Sequence, residues 1–244
     1  MKITTAYLSE QGGRDKNDDT VCVIREENRI CAIVGDGLGG YDGGKLASMK
    51  AAETITEYRK QHDLLQEAEM QTAAELADQM VKKQQLLRSG NMKTTLVVLE
   101  MSCGQTDAKA RWMHVGDSRL YHFKNGKLIG QTMDHSVSQV SVLMGEITQE
   151  EIRFHEDRNR VLRALGSDNA KPDISRMTVL SEGGQVFLLC TDGFWEYVYE
   201  KEMEDTLKES KTPEIWLEKM KALLGKRVTE GNDNYTAAAV FCEM

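Results

Sequence analysis

Five aspartate sites of this 244-residue sequence lie in glycine-rich or polar turns where β-like segments begin or end. Asp36 follows an apolar run and precedes glycine, and Asp192 repeats that arrangement. The others are Asp18-Asp19 ahead of a strand-like segment, Asp117 between two such segments, and Asp233 ahead of the last one. Because loops at one edge of a sheet scaffold lie close together, side chains far apart in sequence can form one site there.

Such a constellation predicts a cation site. Carboxylates gathered in one cleft repel one another, and divalent cations remove that repulsion. Oxygen-only ligands favour Mg²⁺ or Mn²⁺ over Zn²⁺, and an Asp-Gly turn lets a backbone carbonyl approach the ion. Each site alone has an ordinary explanation, since Asp-Gly is a common turn, Asp18-Asp19 suits a solvated turn and Asp117 suits a cap. The histidines at 114, 122 and 135 are better explained as packing or surface residues than as metal ligands.

Two rival motifs fail at single positions. Residues 39–46 approach the phosphate-binding pattern GxxxxGK[ST], but Leu46 stands where a hydroxyl must hold Mg²⁺, and Asp42 would bring negative charge into the phosphate cradle. The acidic spacing from Asp15 onward resembles a calcium loop, but Thr20 occupies the position that requires glycine. Neither motif is retained.

The elements that position the acidic sites are mostly strands, and they arrive in clusters. Strands are expected at 21–25, 30–34, 94–101, 110–115, 119–123, 127–131, 175–180, 185–190 and 235–241. Helices are expected at about 45–61 and 64–87, and another begins at Thr212-Pro213, with threonine as N-cap. This order predicts an α+β fold with a central antiparallel β-sandwich flanked by helices, rather than a doubly wound parallel sheet.

Composition restricts the class of protein. The formal net charge of −8 disfavours non-specific binding of nucleic acid, and 40% hydrophobic with 29% charged residues is typical of a globular protein. Five cysteines without a CxxC pair indicate free thiols in a reducing compartment. There is neither an apolar run of roughly 18 residues nor a signal-peptide core, so the cytoplasm is the expected location. Without linkers or repeats, one domain over residues 1–244 is expected.

Taken in order, the acidic sites and their neighbours resemble the bacterial members of the type 2C family of metal-dependent protein phosphatases (PPM). The matching motifs are Arg14-x-x-Asn17-Asp18-Asp19, Asp36-Gly37-Leu38-Gly39-Gly40, Thr94-Thr95, Gly116-Asp117-Ser118-Arg119, Asp134-His135-Ser136, Asn159 with Leu165-Gly166, Thr191-Asp192-Gly193 and Asp233-Asn234. They extend over nearly the whole chain. The resemblance implies helices on both outer faces of the sandwich and a mobile flap, which we define as residues 136–160.

The resemblance also implies a centre of two Mn²⁺ or Mg²⁺ ions. Asp36 would bridge both ions, and the Gly37 carbonyl would bind one of them. Asp192 and Asp233 would bind the other ion. Asp117 would bind a third, weaker ion with help from Asp192.

Three further residues are implied around that centre. Asp18 and Asp19 would hold metal-bound waters, and Arg14 would hold the substrate phosphate with its forked donors. A water activated by two ions would then hydrolyse phosphoserine or phosphothreonine on proteins, without a covalent intermediate. Phosphorylated proteins are the implied substrates, and a partner Ser/Thr kinase is expected by family analogy.

Two residues depart from the family pattern. Leu38 stands where some members carry a histidine that protonates the leaving group, which leaves the general acid unassigned. Lys93 precedes Thr94-Thr95 where a small residue is common. The alternatives are a catalytically inactive sensing or binding domain of the same fold and a phosphatase for small phosphorylated molecules. The sequence retains every carboxylate of the family's metal centre, which favours an active enzyme.

Overall fold

Two antiparallel sheets pack face to face, with helices against each outer face. This computed structural model describes residues 2–26, 28–39, 43–88, 90–104 and 107–243; Gly40 and Asp42 of the sequence motifs lie outside them. The strands within these ranges are β1 (Lys2–Glu10), β2 (Thr20–Arg25), β3 (Arg29–Gly35), β4 (Gly37–Leu38), β5 (Lys93–Thr94), β6 (Leu96–Cys103), β7 (Ala108–Val115), β8 (Arg119–Lys124), β9 (Lys127–Gln131), β10 (Asp173–Ile174), β11 (Thr178–Leu180), β12 (Gly184–Cys190) and β13 (Tyr235–Glu243). The helices there are α1 (Gly43–Arg59), α2 (Glu67–Arg88), α3 (Val137–Leu143), a 3-10 helix (Glu150–Phe154), α4 (Asp192–Trp195), α5 (Glu200–Lys208) and α6 (Pro213–Leu224).

The strand order brings the two ends of the chain together. One sheet has the order β1-β13-β12-β8-β9, and the other has the order β10-β7-β6-β3-β2, with β11 also paired to β7. In the first sheet β1 pairs with β13 over its whole length, from Lys2 opposite Glu243 to Glu10 opposite Tyr235. The segments that carry residues 14 and 233 therefore leave the sheet side by side.

Strand periodicity divides the core into three layers. Successive side chains of a strand point to opposite faces, so Ile30, Ala32 and Val34 of β3 face the other sheet, while Cys31 and Ile33 face α1 and α2. Strand β12 alternates in the same way between the sheet interface and a layer formed with α4, α5 and α6. Two buried central strands, β3 and β12, thus point their C-terminal ends at the aspartates that follow them.

The predicted fold class is confirmed, and most predicted elements are present within a few residues of their expected bounds. The expected N-cap is also there, since Thr212 Oγ1 accepts a hydrogen bond from Ile215 N at 3.4 Å. Several elements differ from the prediction. The sequence does not predict β1, β4, β10, α4 or α5, the expected strand 94–101 is interrupted at Thr95, and the expected strand 175–180 forms only at Thr178–Leu180. No helix in the described ranges is long and apolar enough to span a membrane.

Candidate active site

Asp36 is held by two threonines, Thr94 at the end of β5 and Thr95 between β5 and β6. Asp36 N donates to Thr95 Oγ1 at 2.9 Å, and the Asp36 carbonyl accepts from Thr95 N at 2.9 Å and from Thr94 Oγ1 at 2.8 Å. Thr95 Oγ1 also lies 2.7 Å from Ser118 Oγ, which follows Asp117. The Thr94-Thr95 motif therefore fixes the backbone of one predicted ligand and ties it to the loop of another.

Two glycines allow backbone segments to approach closely at this edge. A β-carbon on Gly37 would overlap the Gly44 carbonyl, where α1 begins. A β-carbon on Gly193 would overlap the Asn234 carbonyl, next to Asp233. Only glycine fits these contacts, which explains the glycine after both Asp36 and Asp192.

Asp18 and Asp19 are positioned by Asn234 and Thr191, which flank the aspartates of two other motifs. Asp18 N donates to Asn234 Oδ1 at 2.8 Å, and Asn234 Nδ2 in turn donates to the Lys16 carbonyl at 2.7 Å. The buried Asp19 accepts a hydrogen bond from Thr191 Oγ1 to its Oδ2 at 2.9 Å. Polar residues flanking the aspartates of two other motifs were the signal for these contacts, because a hydroxyl or amide beside a strand end can bond a neighbouring loop.

Asp117 and Asp192 lie in front of a buried aromatic and ionic network. Trp195, on the short helix that starts at Asp192, donates from its indole Nε1 to the Asp117 carbonyl at 2.9 Å. The Arg119 guanidinium stacks 3.5 Å from the Trp195 ring centroid and binds both carboxylate oxygens of Asp134 at 2.8 Å. Arg119 and Asp134 are fully buried, so the pair is shielded from solvent and holds this loop rigidly.

Arg14 and Asp233 form a bidentate ion pair in the wall of the site. Arg14 Nε lies 3.0 Å from Asp233 Oδ1, and Nη2 lies 2.7 Å from Oδ2. The side chains are 55% and 39% exposed, respectively. The sequence predicts Arg14 beside a phosphate and Asp233 beside a metal ion, but it does not predict that these two side chains pair with each other.

Mutual repulsion and burial perturb the carboxylates. Burial first, then the charge of Asp192, raises the pKa of Asp36 well above its ordinary value. Burial and Asp117 do the same to the pKa of Asp192. Burial is also the largest cause that raises the pKa of Asp19 and that of Asp117 to about 7. These acids resist ionisation at neutral pH unless positive charge is supplied.

The residues present fit hard divalent cations. Asp19 Oδ1 and Asp117 Oδ1 are buried oxygens without a hydrogen-bond partner, and the groups lining the cleft that can act as ligands offer oxygen from carboxylates, amides and the backbone, the donors that Mg²⁺ and Mn²⁺ prefer. No three acidic side chains of the cleft, within the described ranges, bring their ligand oxygens within 4.8 Å of one another. The Asp233 carboxylate is turned to Arg14, which accounts for part of that spread.

His114, His135 and Asp173 form a tighter cluster elsewhere, with ligand atoms within 4.8 Å of one another. Its hydrogen bonds argue against a metal ion. Gly116 N donates to His135 Nδ1 at 3.1 Å, which assigns the proton to Nε2, 3.3 Å from Asp173. Burial and the neighbouring His114 lower the pKa of His135 to about 4. Arg163 pairs with Asp173 at 3.0 Å and would repel a cation.

The acidic residues line a cleft of about 710 Å³. Arg14, Asp18, Asp36, Gly37, Asp117, Asp192 and Asp233, all predicted site residues, contribute to its wall. Asp19 lies behind them, since its charge reaches Asp36 but its side chain is 1% exposed. Leu38 also lines the cleft, and Asn159 and Val161 close one side of it from the end of the flap and the residues just after it.

Comparisons with known proteins agree with this geometry. The family model described as protein phosphatase 2C matches residues 9–225. The serine/threonine phosphatase stp of Listeria monocytogenes is 33% identical over 207 residues, which cover 82% of this chain and 80% of the relative. The chain belongs to the protein phosphatase 2C family.

Solved structures share the whole fold. The serine/threonine phosphatase PstP/Ppp of Mycobacterium tuberculosis superposes with a TM-score of 0.81 at 26% identity, with 99% of both chains covered. The catalytic domain of PstP in complex with two manganese ions gives a TM-score of 0.79 at 25% identity, with 98% of this chain and 97% of that one covered. The chain therefore has the PPM phosphatase fold.

Proposed function

We propose that this protein hydrolyses phosphoserine and phosphothreonine on other proteins in a reaction that requires Mn²⁺ or Mg²⁺. One observation carries the proposal: carboxylates from five separate chain segments meet in one cleft, where burial and mutual repulsion hold several of their pKa values far above normal. Divalent cations stabilise such a cluster. Relatives that are named serine/threonine phosphatases support the reaction and the class of substrate.

We assign the predicted ligands as follows. Asp36 would be a ligand of two ions, the Gly37 carbonyl would bind one of them, and Asp192 and Asp233 would bind the other. Asp117 and Asp192 would hold a third ion. Support comes from the repulsion among these carboxylates and from the unpartnered oxygen of Asp117. Asp18 and Asp19 would hold metal-bound waters.

We expect Arg14 to release Asp233 and to bind the substrate phosphate when metal ions and substrate are present. Its pair with Asp233 is more than a third exposed on both sides, and such pairs contribute only about 0–1 kcal/mol. Separation of Arg14 from Asp233 therefore costs little, and it would leave Asp233 available to a metal ion and Arg14 available to the substrate phosphate. The planar guanidinium then meets two phosphoryl oxygens with the same fork that holds the carboxylate here.

The protein contributes preorganised side chains to the reaction. When bound, the ions supply Lewis-acid activation of water and neutralise charge on the phosphoryl oxygens. Arg14 adds donors to those oxygens, and the threonine contacts keep Asp36 in place while charge develops. Leu38 faces the cleft with an apolar side chain, so it cannot deliver the proton that the leaving alkoxide needs.

The broader setting follows from the family and the chain. We propose one phosphatase domain, with residues 136–160 as a flap that moves over the cleft. A Ser/Thr kinase that phosphorylates the same proteins is the expected partner, and the cytoplasm is the expected location. The free thiols in the described part of the chain support a reducing compartment.

Hydrolysis assays separate this function from its alternatives. A phosphothreonine peptide and a small aryl phosphate are each incubated with the protein, with Mn²⁺ or with EDTA. We expect both to be hydrolysed only with the metal, the peptide at the higher kcat/KM. Manganese binding without hydrolysis would favour a sensing domain, and activity on the aryl phosphate alone would favour a phosphatase for small molecules.

A further inference from the structure

Arg153, in the 3-10 helix of the flap, contacts the core through both terminal nitrogens of its guanidinium group. Its side chain is 3% exposed. Nη1 donates to the Trp195 carbonyl at 2.9 Å, and Nη2 lies 2.8 and 2.6 Å from the two carboxylate oxygens of Glu200. The charged group also lies over the Tyr199 ring, 4.6 Å from its centroid. All of these contacts fall on one segment, residues 195–200.

Residues 195–200 adjoin the candidate active site. They continue directly from Asp192 through the short helix α4. The Trp195 indole binds the Asp117 carbonyl at 2.9 Å. Arg153 therefore joins the flap to the stretch of chain that carries one predicted ligand and touches another.

Glu200 connects the same contact to the residues just before the flap. Tyr121 Oη donates to Glu200 at 3.1 Å and accepts from Arg119 Nη1 at 3.0 Å. Arg119 binds Asp134, two residues before the flap begins. The flap's interior, through Arg153, and the residues just before it, through Asp134, are thus linked to one polar network around Glu200.

Apolar packing holds the flap only in part. Leu143, Met144 and Phe154 are 70%, 69% and 71% exposed, while Ile152 is buried against the α4–α6 layer. With so much apolar surface in solvent, the polar contacts of the neighbouring Arg153 become important for the flap's position.

We infer that Arg153 is a positioning residue, a latch that keeps the flap seated so that Asn159, near its C-terminal end, stays at the wall of the cleft. Its catalytic consequence rests on the proposed phosphatase function. Lysine cannot replace it, because one ammonium cannot reach two carboxylate oxygens and a carbonyl in this planar arrangement. We expect the protein to fold without the Arg153 guanidinium, because the Glu200 side chain is 23% exposed to solvent and still has Arg119 Nη1 at 3.6 Å.

Hydrogen exchange of the metal-free protein tests the latch without reference to activity. Arg153→Lys and Arg153→Met are compared with Arg160→Lys and Arg160→Met. Arg160 is a matched flap control, 69% exposed, with one ion pair to Asp157. Losing charge-assisted hydrogen bonds predicts roughly 10- to 100-fold faster exchange of amides in residues 137–160 for Arg153→Met. Arg153→Lys should be intermediate, and both Arg160 variants should match the wild type.

Steady-state kinetics then test the consequence. For Arg153→Lys we expect KM for a phosphothreonine peptide to rise several-fold and KM for a small aryl phosphate to rise less, because a peptide extends beyond Asn159 over the flap and an aryl phosphate does not. Unaltered flap exchange in Arg153→Lys, folded as judged by circular dichroism, would overturn the inference, as would equal effects on both substrates. A wild type inactive with Mn²⁺ would instead refute the proposed function and leave the exchange result standing.

Discussion

Asparagine in place of Asp117 is expected to make the metal-free protein more stable at pH 8 while it weakens manganese binding. Asp117 is 2% exposed, and its Oδ1 has no hydrogen-bond partner. Burial, with a contribution from the Asp134 charge, raises the pKa of Asp117 from 3.8 to about 7. The wild type therefore carries a buried and poorly compensated charge at pH 8, which the amide of asparagine does not.

The size of the effect follows from the pKa. About three pKa units at about 1.4 kcal/mol each give roughly 4 kcal/mol of destabilisation in the wild type at pH 8. The asparagine NH₂ lacks a partner in turn, which costs about 1–3 kcal/mol. The net gain of about 1–3 kcal/mol corresponds to a higher Tm, by about 2–4 °C for each kcal/mol.

The sign depends on pH in a defined way. The pKa of Asp117 is higher in the folded than in the unfolded protein. The contribution of Asp117 to the free energy of unfolding is therefore greatest below pH 3.8, and it is lost as the pH rises from there to about 7. The advantage of Asp117→Asn should therefore be small near pH 5 and reach its full size by pH 8.

Thermal unfolding in EDTA at pH 5 and pH 8, followed by circular dichroism, measures the difference. The control is Asp168→Asn, at an exposed aspartate, which should match the wild type at both pH values. With Mn²⁺ present, the wild type should gain more Tm than Asp117→Asn. A variant less stable than the wild type at pH 8, or a difference that does not change with pH, would refute the electrostatic argument.

Three further substitutions test the other parts of the site. Asp192→Asn should lower manganese-dependent hydrolysis at least about 100-fold with an unchanged circular dichroism spectrum, because it removes a metal ligand; retained activity would remove Asp192 from the centre. Arg14→Ala should raise KM for a phosphopeptide roughly 10-fold or more by removing charge-assisted donors, although its stability should change by less than about 1 kcal/mol. An unchanged KM and kcat would exclude Arg14 from substrate binding. Arg119→Met should lower the free energy of unfolding in urea by about 3–5 kcal/mol, because it leaves the buried Asp134 carboxylate without its partner. A decrease of less than about 1 kcal/mol would show that the pair is not needed for stability.

The cleft was predictable because each acidic site carries its own local signal. Asp36 and Asp192 both end a continuous apolar run that can only be a buried strand, and the glycine that follows each of them marks a turn. Once two buried strands point the same way, their terminal aspartates share an edge. Local rules were therefore enough to indicate that these aspartates share a cleft, whereas Arg14 and the Gly37 carbonyl were assigned to it only through the family resemblance.

The contacts between distant residues were not predictable in this way. Arg14 and Asp233 are 219 positions apart in the sequence. The residues next to each of them give no signal that the two side chains form an ion pair. The Arg119–Asp134 pair and the Arg153 contacts depend on how loops pack after the sandwich has formed. Strand β1 was missed because its alternation is weak: partly buried side chains run through most of its length, on both faces.

The position of β13 in its sheet determines when the cleft can be completed. This strand follows all the other strands of the described residues in sequence, yet it is inserted between β1 and β12, and the loop before it brings Asp233 and Asn234 to the aspartates near residue 18. A nascent chain on the ribosome therefore cannot assemble the full ligand set until β13 has emerged. Contacts over such sequence distances also slow folding, so metal loading is expected to follow the pairing of β13 with β1 and β12.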